Sequence, residues 1–421
     1  MSPPRVGGPE PEPRRGAAEP VRPVVTGVGL ITPIGADPDS FWRALVEGRS
    51  GAGPVRSFDT AELPSHVGCE VEAFALPAAV KAALSGGRCT ELAAFAALQA
   101  ASGAGIASAL EGAADAAVVV GTTMGEVTQF ERDRAEHPDG EASVEDVRTL
   151  VERPLDVMAR SIARIWGLSG HVVTAPAACA AGSYAVGLAA SLVRRGQARI
   201  AIAVGCDAFS RLAFVGFSRM RAMSSDACRP FSLGRPGLLL GAGAGALVVE
   251  AEPSARARGA EILGAVEGFG LSCDAHHVTG PDPAGAGAAR AMRDAMERGG
   301  VGPDRIDYVN AHGTGTPLND RMESRALRTV FGARAAKIPV SSIKALTGHM
   351  MGGAGAVEAI ASLLAMRHGV VPPTWNFVAP DPECAIDCVP NEPRRSRLRH
   401  VLSNSYAFGG NDASLLLGAA E

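Results

Sequence analysis

One cysteine lies where a predicted strand should give way to a helix. Cys179 follows the apolar stretch 171–174 and precedes a run of small residues that ends at Gly182. A thiol at a helix N-terminus feels the positive end of the backbone dipole, which favours the thiolate. The small neighbours leave room for a thioester, so the spacing predicts a nucleophilic cysteine. The alternative interpretation is an inert buried cysteine, the commoner state of this residue.

Two histidines occupy similar glycine-rich turns after predicted strands. His312 lies in NAHGTGTPLND, and His349 lies in SSIKALTGHMMGGAG. Glycine beside an imidazole indicates a sharp backbone turn that packing alone seldom requires, although ordinary turn chemistry is the alternative. A thiolate attacks thioesters well, and neutral imidazoles donate hydrogen bonds to an enolate oxygen. The three side chains together favour acyl transfer, and Thr314 and Thr316 add hydroxyls suited to hold a polar, amide-bearing arm.

The elements around these residues alternate between strand and helix, the pattern of sheets built from βαβ units. Predicted strands cover 24–30, 116–120, 171–174 and 200–204, and predicted helices cover 91–106, 154–166 and 180–195. This alternation predicts an α/β fold.

The second half of the chain repeats the first in the same order. Segment 116–125 has a counterpart in 306–316, segment 171–182 in 338–355, and segment 241–250 in 408–418. We therefore predict a duplication whose halves meet near residue 253, with the reactive residues on equivalent loops that face each other.

Composition excludes several classes of protein. The chain has 421 residues, a formal net charge of -4 and no block of basic residues, so neither nucleic acid nor an anionic membrane is expected as a partner. No apolar run reaches 18 residues and the N-terminus has no signal-like core, so we expect a cytoplasmic protein behind a disordered, proline-rich leader at 1–22. The eight cysteines are scattered, and the close pair Cys384 and Cys388 has too few neighbouring ligands for zinc.

The order of the motifs resembles one family over nearly the whole chain from Val24 onward. The matching segments are VVTGVGLITPIG, TAPAACAAG, RAMSSDACRPF, DAHHVTGPDP, VNAHGTGTPLND, SSIKALTGHMMGGAGAVE and SNSYAFGGND. They are similar to the β-ketoacyl-[acyl carrier protein] synthases of the type II elongating kind. The resemblance implies a thiolase-like α/β fold, in which two duplicated halves form five layers in the order α-β-α-β-α. Residues 23–253 would carry the nucleophilic cysteine, and residues 254–421 would carry the histidines.

The resemblance also implies roles for the reactive residues. Cys179 would accept the acyl chain from a phosphopantetheine thioester, and its N–H with that of Phe408 would form the oxyanion hole. His312 and His349 would hold a malonyl-type extender as it loses carbon dioxide. Lys344 would tune the His349 side of the site, with Glu323 as its charge partner.

Five further positions, together with Phe408, are expected to meet the substrate. Thr279, Thr314 and Thr316 match positions that line the pantetheine tunnel, Met124 matches an acyl-chain gate, and Phe408 matches a swinging gate beside the cysteine. Leu238 stands where the family has an aromatic residue, which would reshape the space for the chain.

Departures from the family pattern leave the catalytic trio in place. Besides Leu238, Ala242 replaces an acidic residue between glycines, and Asn411 and Asp412 stand where Thr and Asn are common. These changes favour polyketide or specialised fatty-acid biosynthesis over housekeeping elongation.

Two other functions use the same motifs. A ketosynthase-like cyclase would close a tethered chain on itself by an aldol or Claisen step, and a silent chain-length partner subunit would bind without catalysis. A thiolase acting on coenzyme A is disfavoured because SNSYAFGGND lacks a second cysteine. The expected partners are an acyl carrier protein and a second subunit, in a homodimer or in a heterodimer with a chain-length partner, and no metal or redox cofactor is expected.

Overall fold

A computed structural model describes residues 21–136 and 155–420. Residues 1–20 of the predicted leader and the start of the helix predicted over 154–166 lie outside the described residues. The strands of the main sheet are β1 Pro23–Ile31, β2 Ala116–Gly121, β3 Val172–Ala175, β4 Ile200–Asp207, β5 Gly243–Ala251, β6 Gly264–Cys273, β7 Tyr308–Asn310, β8 Val340–Ser341, β9 His400–Ala407 and β10 Asn411–Ala419. Two short strand pairs, Gly53–Pro54 with Val67–Gly68 and Val370–Val371 with Arg394–Arg395, lie apart from it.

The helices connect these strands. They are α1 Pro38–Glu47, α2 Ala78–Ala83, α3 Arg88–Gly103, α4 Ala107–Leu110, α5 Val127–Glu136, α6 Val157–Ile165, α7 Ala181–Arg194, α8 Arg211–Arg219, α9 Glu252–Ala257, α10 Ala286–Gly299, α11 Pro317–Phe331, α12 Lys344–Thr347 and α13 Ala354–His368. Among the described residues no helix is both long enough and apolar enough to cross a membrane.

The sheet has the same strand order in each half. The full order is β8-β7-β9-β10-β6-β1-β5-β4-β2-β3, so the second half repeats the first strand for strand. In each half the three outer strands run parallel and the remaining neighbours pair antiparallel. Within the main sheet, the described strands of the two halves pair with each other only where β1 meets β6 at Val24 and Val25. The segments matched in the sequence fall on equivalent strands, while the boundary near residue 253 stays a prediction.

Two helices lie between the halves. α7 packs on β2, β4 and β5, α13 packs on β9 and β10, and the two helices contact each other. α13 is buried along its length from Ala354 to Met366, as expected for a helix that is apolar on all sides. α3 and α6 cover the outer face of the first half, and α10, backed by α11, covers that of the second. This arrangement confirms the predicted duplicated, thiolase-like α-β-α-β-α fold.

Candidate active site

The two central helices begin side by side. A 3-10 turn over Ala178–Ala180 leads into α7, and an equivalent turn over Met351–Gly353 leads into α13. Each turn starts with a non-glycine residue in the left-handed region, with φ of 46° at Ala178 and 47° at Met351. This backbone conformation destabilises the folded state by about 1–3 kcal/mol, and it persists where the surrounding structure enforces it, often at functional sites.

Glycine permits this close approach. A methyl carbon on Gly182 would lie 2.7 Å from the backbone nitrogen of Ala356 and 2.7 Å from the carbonyl oxygen of Gly352. The backbones of α7 and α13 can therefore touch only because residue 182 has no side chain. The contact places the Cys179 turn against the turn that follows His349.

A cavity of about 540 Å³ opens over this contact. Most of the predicted site residues line it, namely Cys179, His312, His349, Phe408, Leu238, Thr279, Thr314 and Thr316. The hydroxyls of Thr314 and Thr316 lie 2.9 Å apart on one wall. Met124 is not in the lining; it packs in the apolar cluster that holds Leu238 and Phe408. Lys344 and Glu323 stand behind the lining.

Cys179 is 6% exposed, and its environment differs from the one that the sequence predicts. Burial raises the pKa of the Cys179 thiol to about 12, and the nearby positive charge of Lys344 opposes this rise without cancelling it. The prediction that the thiolate is favoured is therefore wrong, because burial removes water from the sulfur and disfavours its charged form. The nucleophile rests as a thiol and has to lose its proton as it attacks.

The two imidazoles form a neutral pair. Their ring centroids lie 5.3 Å apart in an edge-to-face arrangement. Burial, followed by the positive charge of Lys344, lowers the pKa of both His312 and His349 well below the usual range. Both rings are therefore neutral at physiological pH and act as hydrogen-bond donors or acceptors rather than as charged acids.

Lys344 determines which nitrogen of His312 carries the proton. The Nζ atom of Lys344 lies 3.4 Å from Nδ1 of His312 and donates to the His312 carbonyl at 2.7 Å. An ammonium group only donates, so Nδ1 must accept and the ring proton belongs on Nε2. His312 consequently keeps one N–H donor for a ligand.

His349 is held by its backbone rather than by its ring. Its N–H donates to the carbonyl of Leu239 at 2.7 Å, and its carbonyl accepts from Gly241 at 3.0 Å. The ring atom Nδ1 is buried and has no hydrogen-bond partner among the described residues. A buried polar atom without a partner is uncommon in proteins.

The charge partner of Lys344 is Glu358, and the predicted pairing with Glu323 is wrong. Lys344 and Glu358 form a salt bridge in which each side chain is 1% exposed. Lys344 begins α12 and Glu358 lies on α13, so the pairing depends on how these two helices meet. A signal for it exists in the sequence, because Glu358 is the one charged residue in the buried apolar stretch of α13.

Glu323 supports the His312 loop instead. Its two carboxylate oxygens accept from the backbone N–H groups of His312 at 2.9 Å and Gly313 at 2.8 Å. Burial raises the pKa of Glu323 to about 7, although these two hydrogen bonds favour the ionised form. Glu323 therefore acts on the site through the loop that carries the imidazole.

Sequence reasoning missed one residue that connects the halves. Asp207, at the end of β4, is fully buried and accepts hydrogen bonds from the backbone N–H groups of Thr123 and Met124 at 2.9 Å. It also accepts from the Gly352 N–H at 2.7 Å. Asp207 thus ties the Met124 loop of the first half to the turn that starts α13. A lone aspartate after an apolar strand, in IAIAVGCD, was the available signal.

Phe408 begins a turn that continues through two glycines in the left-handed region. Gly409 and Gly410 follow it with φ of 80° and 75°, a region that glycine occupies without strain. The Phe408 ring packs on Phe217 with a centroid distance of 5.6 Å. The turn therefore places the aromatic side chain of Phe408 in the cavity wall, packed against an apolar cluster.

Comparison with known proteins agrees with this geometry. Residues 20–255 match the β-ketoacyl synthase N-terminal domain, and residues 263–378 match the β-ketoacyl synthase C-terminal domain. The 3-oxoacyl-[acyl-carrier-protein] synthase 2 of Synechocystis sp. is 38% identical over 404 residues, which are 94% of this chain and 97% of that protein.

Solved structures give the same result. The ishigamide ketosynthase/chain length factor is 38% identical, with a TM-score of 0.88, and the match covers 96% of this chain and 100% of that one. A ketosynthase bound to a hexaketide, in complex with its type II polyketide acyl-carrier protein, is 28% identical, with a TM-score of 0.86 and coverage of 95% and 100%. The resemblance seen in the motifs is confirmed, and the chain belongs to the β-ketoacyl synthase family.

Proposed function

We propose that the protein is a ketosynthase that joins a cysteine-bound acyl chain to a malonyl-type thioester by decarboxylative Claisen condensation. The observation that carries this proposal is one cavity lined by Cys179, His312 and His349, with a buried lysine fixing the tautomer of His312. The pathway is polyketide or specialised fatty-acid biosynthesis, in keeping with the similarity to the ishigamide ketosynthase and to the ketosynthase bound to a hexaketide.

In the first half-reaction the acyl group moves to the enzyme. The Cys179 sulfur attacks the acyl thioester, and the N–H groups of Cys179 and Phe408 stabilise the oxyanion of the tetrahedral intermediate. The carbon–sulfur bond to pantetheine breaks, and the proton lost by Cys179 returns to the departing sulfur. No net charge is left in the cavity, which suits a thiol whose pKa is raised by burial.

In the second half-reaction the imidazoles hold the extender. The Nε2–H of His312 and the ring of His349 donate to the thioester carbonyl of the malonyl unit, and carbon dioxide leaves as the electrons move into an enolate. The enolate carbon attacks the acyl-Cys carbonyl, the Cys179 sulfur departs, and the sulfur regains a proton. Neutral rings fit this role, because they stabilise the enolate oxygen without protonating it.

The substrates arrive on a carrier. We propose that an acyl carrier protein presents both thioesters, with its phosphopantetheine arm between Thr279 and the Thr314–Thr316 pair, and that no other cofactor takes part. Met124 and Leu238 would border the acyl chain. A second subunit, either a copy of this chain or a chain-length partner, completes the assembly, and the free state of all eight cysteines fits a cytoplasmic enzyme.

The test follows both half-reactions. The protein is mixed with an acyl-loaded carrier, and intact mass is measured for an acyl adduct that is absent from Cys179→Ala. A malonyl carrier is then added, and carbon dioxide and the extended product are measured. An adduct with carbon dioxide release supports condensation. An adduct that yields a ring-closed product without carbon dioxide supports the cyclase instead, and the absence of any adduct refutes both enzymes.

A further inference from the structure

Two carboxyl groups meet in the wall of the cavity. Asp274 directly follows β6, Asp412 lies near the start of β10, and both residues line the cavity. A methyl carbon placed on Gly287, in the first turn of α10, would lie 2.2 Å from Oδ1 of Asp274 and 2.3 Å from Oδ2 of Asp412. The two carboxyl oxygens therefore converge above this glycine.

One of these oxygens lacks a hydrogen-bond donor. Oδ1 of Asp274 is buried and has no partner among the described residues, whereas its Oδ2 accepts from the N–H of Asp282 at 2.9 Å. Oδ2 of Asp412 lies 3.2 Å from the Ser272 hydroxyl, but that hydroxyl has a closer acceptor in the Gly287 carbonyl at 2.6 Å. Two ionised carboxylates cannot donate to each other, and a buried acceptor without a donor is costly. A proton on Asp412 supplies the missing donor.

The acid pair lies where two parts of the cavity wall are joined. We call residues 274–280, which include Thr279, the cavity loop. The N–H of Asp274 donates to the carbonyl of Gly410 at 2.9 Å, and the N–H of Gly409 donates to the Val278 carbonyl at 2.7 Å. The cavity loop is thus fastened to the turn that carries Phe408, directly beside the carboxyl pair.

We propose that Asp412 and Asp274 share one proton, which holds the cavity loop against the Phe408–Gly410 turn, and that loss of this proton loosens the two segments. Burial first, and the neighbouring Asp274 charge second, raise the pKa of Asp412 to about 8. The proton is therefore present at neutral pH and is lost as pH rises through about 8, when two like charges meet in a shielded site. The inference rests on the proposed function in one respect only, namely that the cavity is the catalytic one.

Other titratable groups face the pair, and they act differently. Arg290 on α10 favours the ionised form of Asp412 but does not outweigh burial. Asp282 already occupies the N-terminus of α10, where its carboxylate accepts from the backbone N–H groups of Ala284 and Ala286. His277 Nδ1 accepts from the N–H groups of Thr279 and Gly280 within the cavity loop. The remaining neighbours are Tyr184, Cys273 and Tyr406.

Alkylation of Cys179 measures how open the cavity is, without any substrate. The rate of modification by iodoacetamide is followed from pH 6 to pH 9.5 in the full chain and in Asp412→Asn, with peptide mapping to separate Cys179 from the exposed Cys273. The asparagine amide donates to Asp274 as the protonated carboxyl does, but it cannot ionise. The ratio of the two rates removes the intrinsic pH dependence of the thiol.

The expected ratio of wild type to Asp412→Asn is close to one below neutral pH and rises about tenfold as pH passes 8, since repulsion between buried like charges is large. A ratio that stays constant with pH overturns the proposal. An equal rise in the ratio of the wild-type rate to the rate in the exposed control Asp304→Asn also overturns it, because that control keeps the Asp412–Asp274 pair. If Asp412→Asn does not fold, Asp274→Asn removes the same repulsion and is judged by the same criteria. Carbon dioxide release at neutral pH is measured in a separate assay, so the alkylation test remains valid even if the proposed function fails.

Discussion

Replacement of Lys344 tests the electrostatic structure of the site. Lys344→Met keeps most of the side-chain volume but leaves Glu358 buried on α13 without its charge partner. Removal of one member of a fully buried pair costs about 3–5 kcal/mol, because the remaining charge has lost both water and its counter-ion. We expect a loss of this size in the free energy of unfolding, measured by urea denaturation at neutral pH.

The double variant Lys344→Met/Glu358→Leu is the matched control. Since an apolar pair of similar volume often replaces a buried ion pair at little cost, we expect it to recover most of the lost stability. Condensation should not recover, because Nδ1 of His312 has still lost its donor. Burial already raises the pKa of Glu358, so lowering the pH should neutralise it in Lys344→Met and reduce the loss of stability.

The result that would refute this reasoning is specific. Glu323 accepts hydrogen bonds from backbone N–H groups and does not pair with Lys344. Addition of Glu323→Leu to Lys344→Met should therefore destabilise the protein further. If Glu323→Leu restored stability and Glu358→Leu did not, the assignment of the buried ion pair would be wrong. A loss below about 1 kcal/mol in Lys344→Met would show that the pair behaves like an exposed one.

Burial raises the pKa of Glu323 from its ordinary value of 4.5 to about 7, so the free energy of unfolding should fall as pH rises across this window. Condensation should slow as pH falls through about 7, because protonation of Glu323 removes a hydrogen-bond acceptor from the His312 loop. Glu323→Gln should show neither pH dependence. Leu238→Phe, in the cavity wall, should shift the products measured by mass spectrometry towards shorter chains, and an unchanged product distribution would place the acyl chain elsewhere. Gly182→Ala should lower stability by about 1–3 kcal/mol because its methyl group meets backbone atoms. Gly216→Ala, in an exposed helical position with nothing within 4 Å, should raise stability by about 0.5–1 kcal/mol, and equal effects of the two changes would contradict the packing argument.

Local patterns in the sequence were sufficient for the α/β alternation, the duplication and the catalytic trio, whereas the thiolase-like layers and the other site residues were implied by the resemblance to the family. Strand, turn and helix signals depend on neighbouring residues, so the alternation of elements and the repeat between halves were readable without a structure. Cys179, His312 and His349 each follow a strand in a turn rich in small residues. Because the duplication places such turns at equivalent positions, their meeting in one cavity followed from the order of the chain.

The protonation states and the pairing of charges were decided only by the tertiary structure. Lys344 reaches Glu358 rather than Glu323 because of where α12 and α13 lie in space, a relation that no spacing in the chain expresses. The Cys179 thiol keeps its proton because the second half of the chain covers it, although a local view predicted a thiolate. Desolvation and charge–charge interaction depend on what lies within a few ångströms in space, and those neighbours come from distant parts of the sequence.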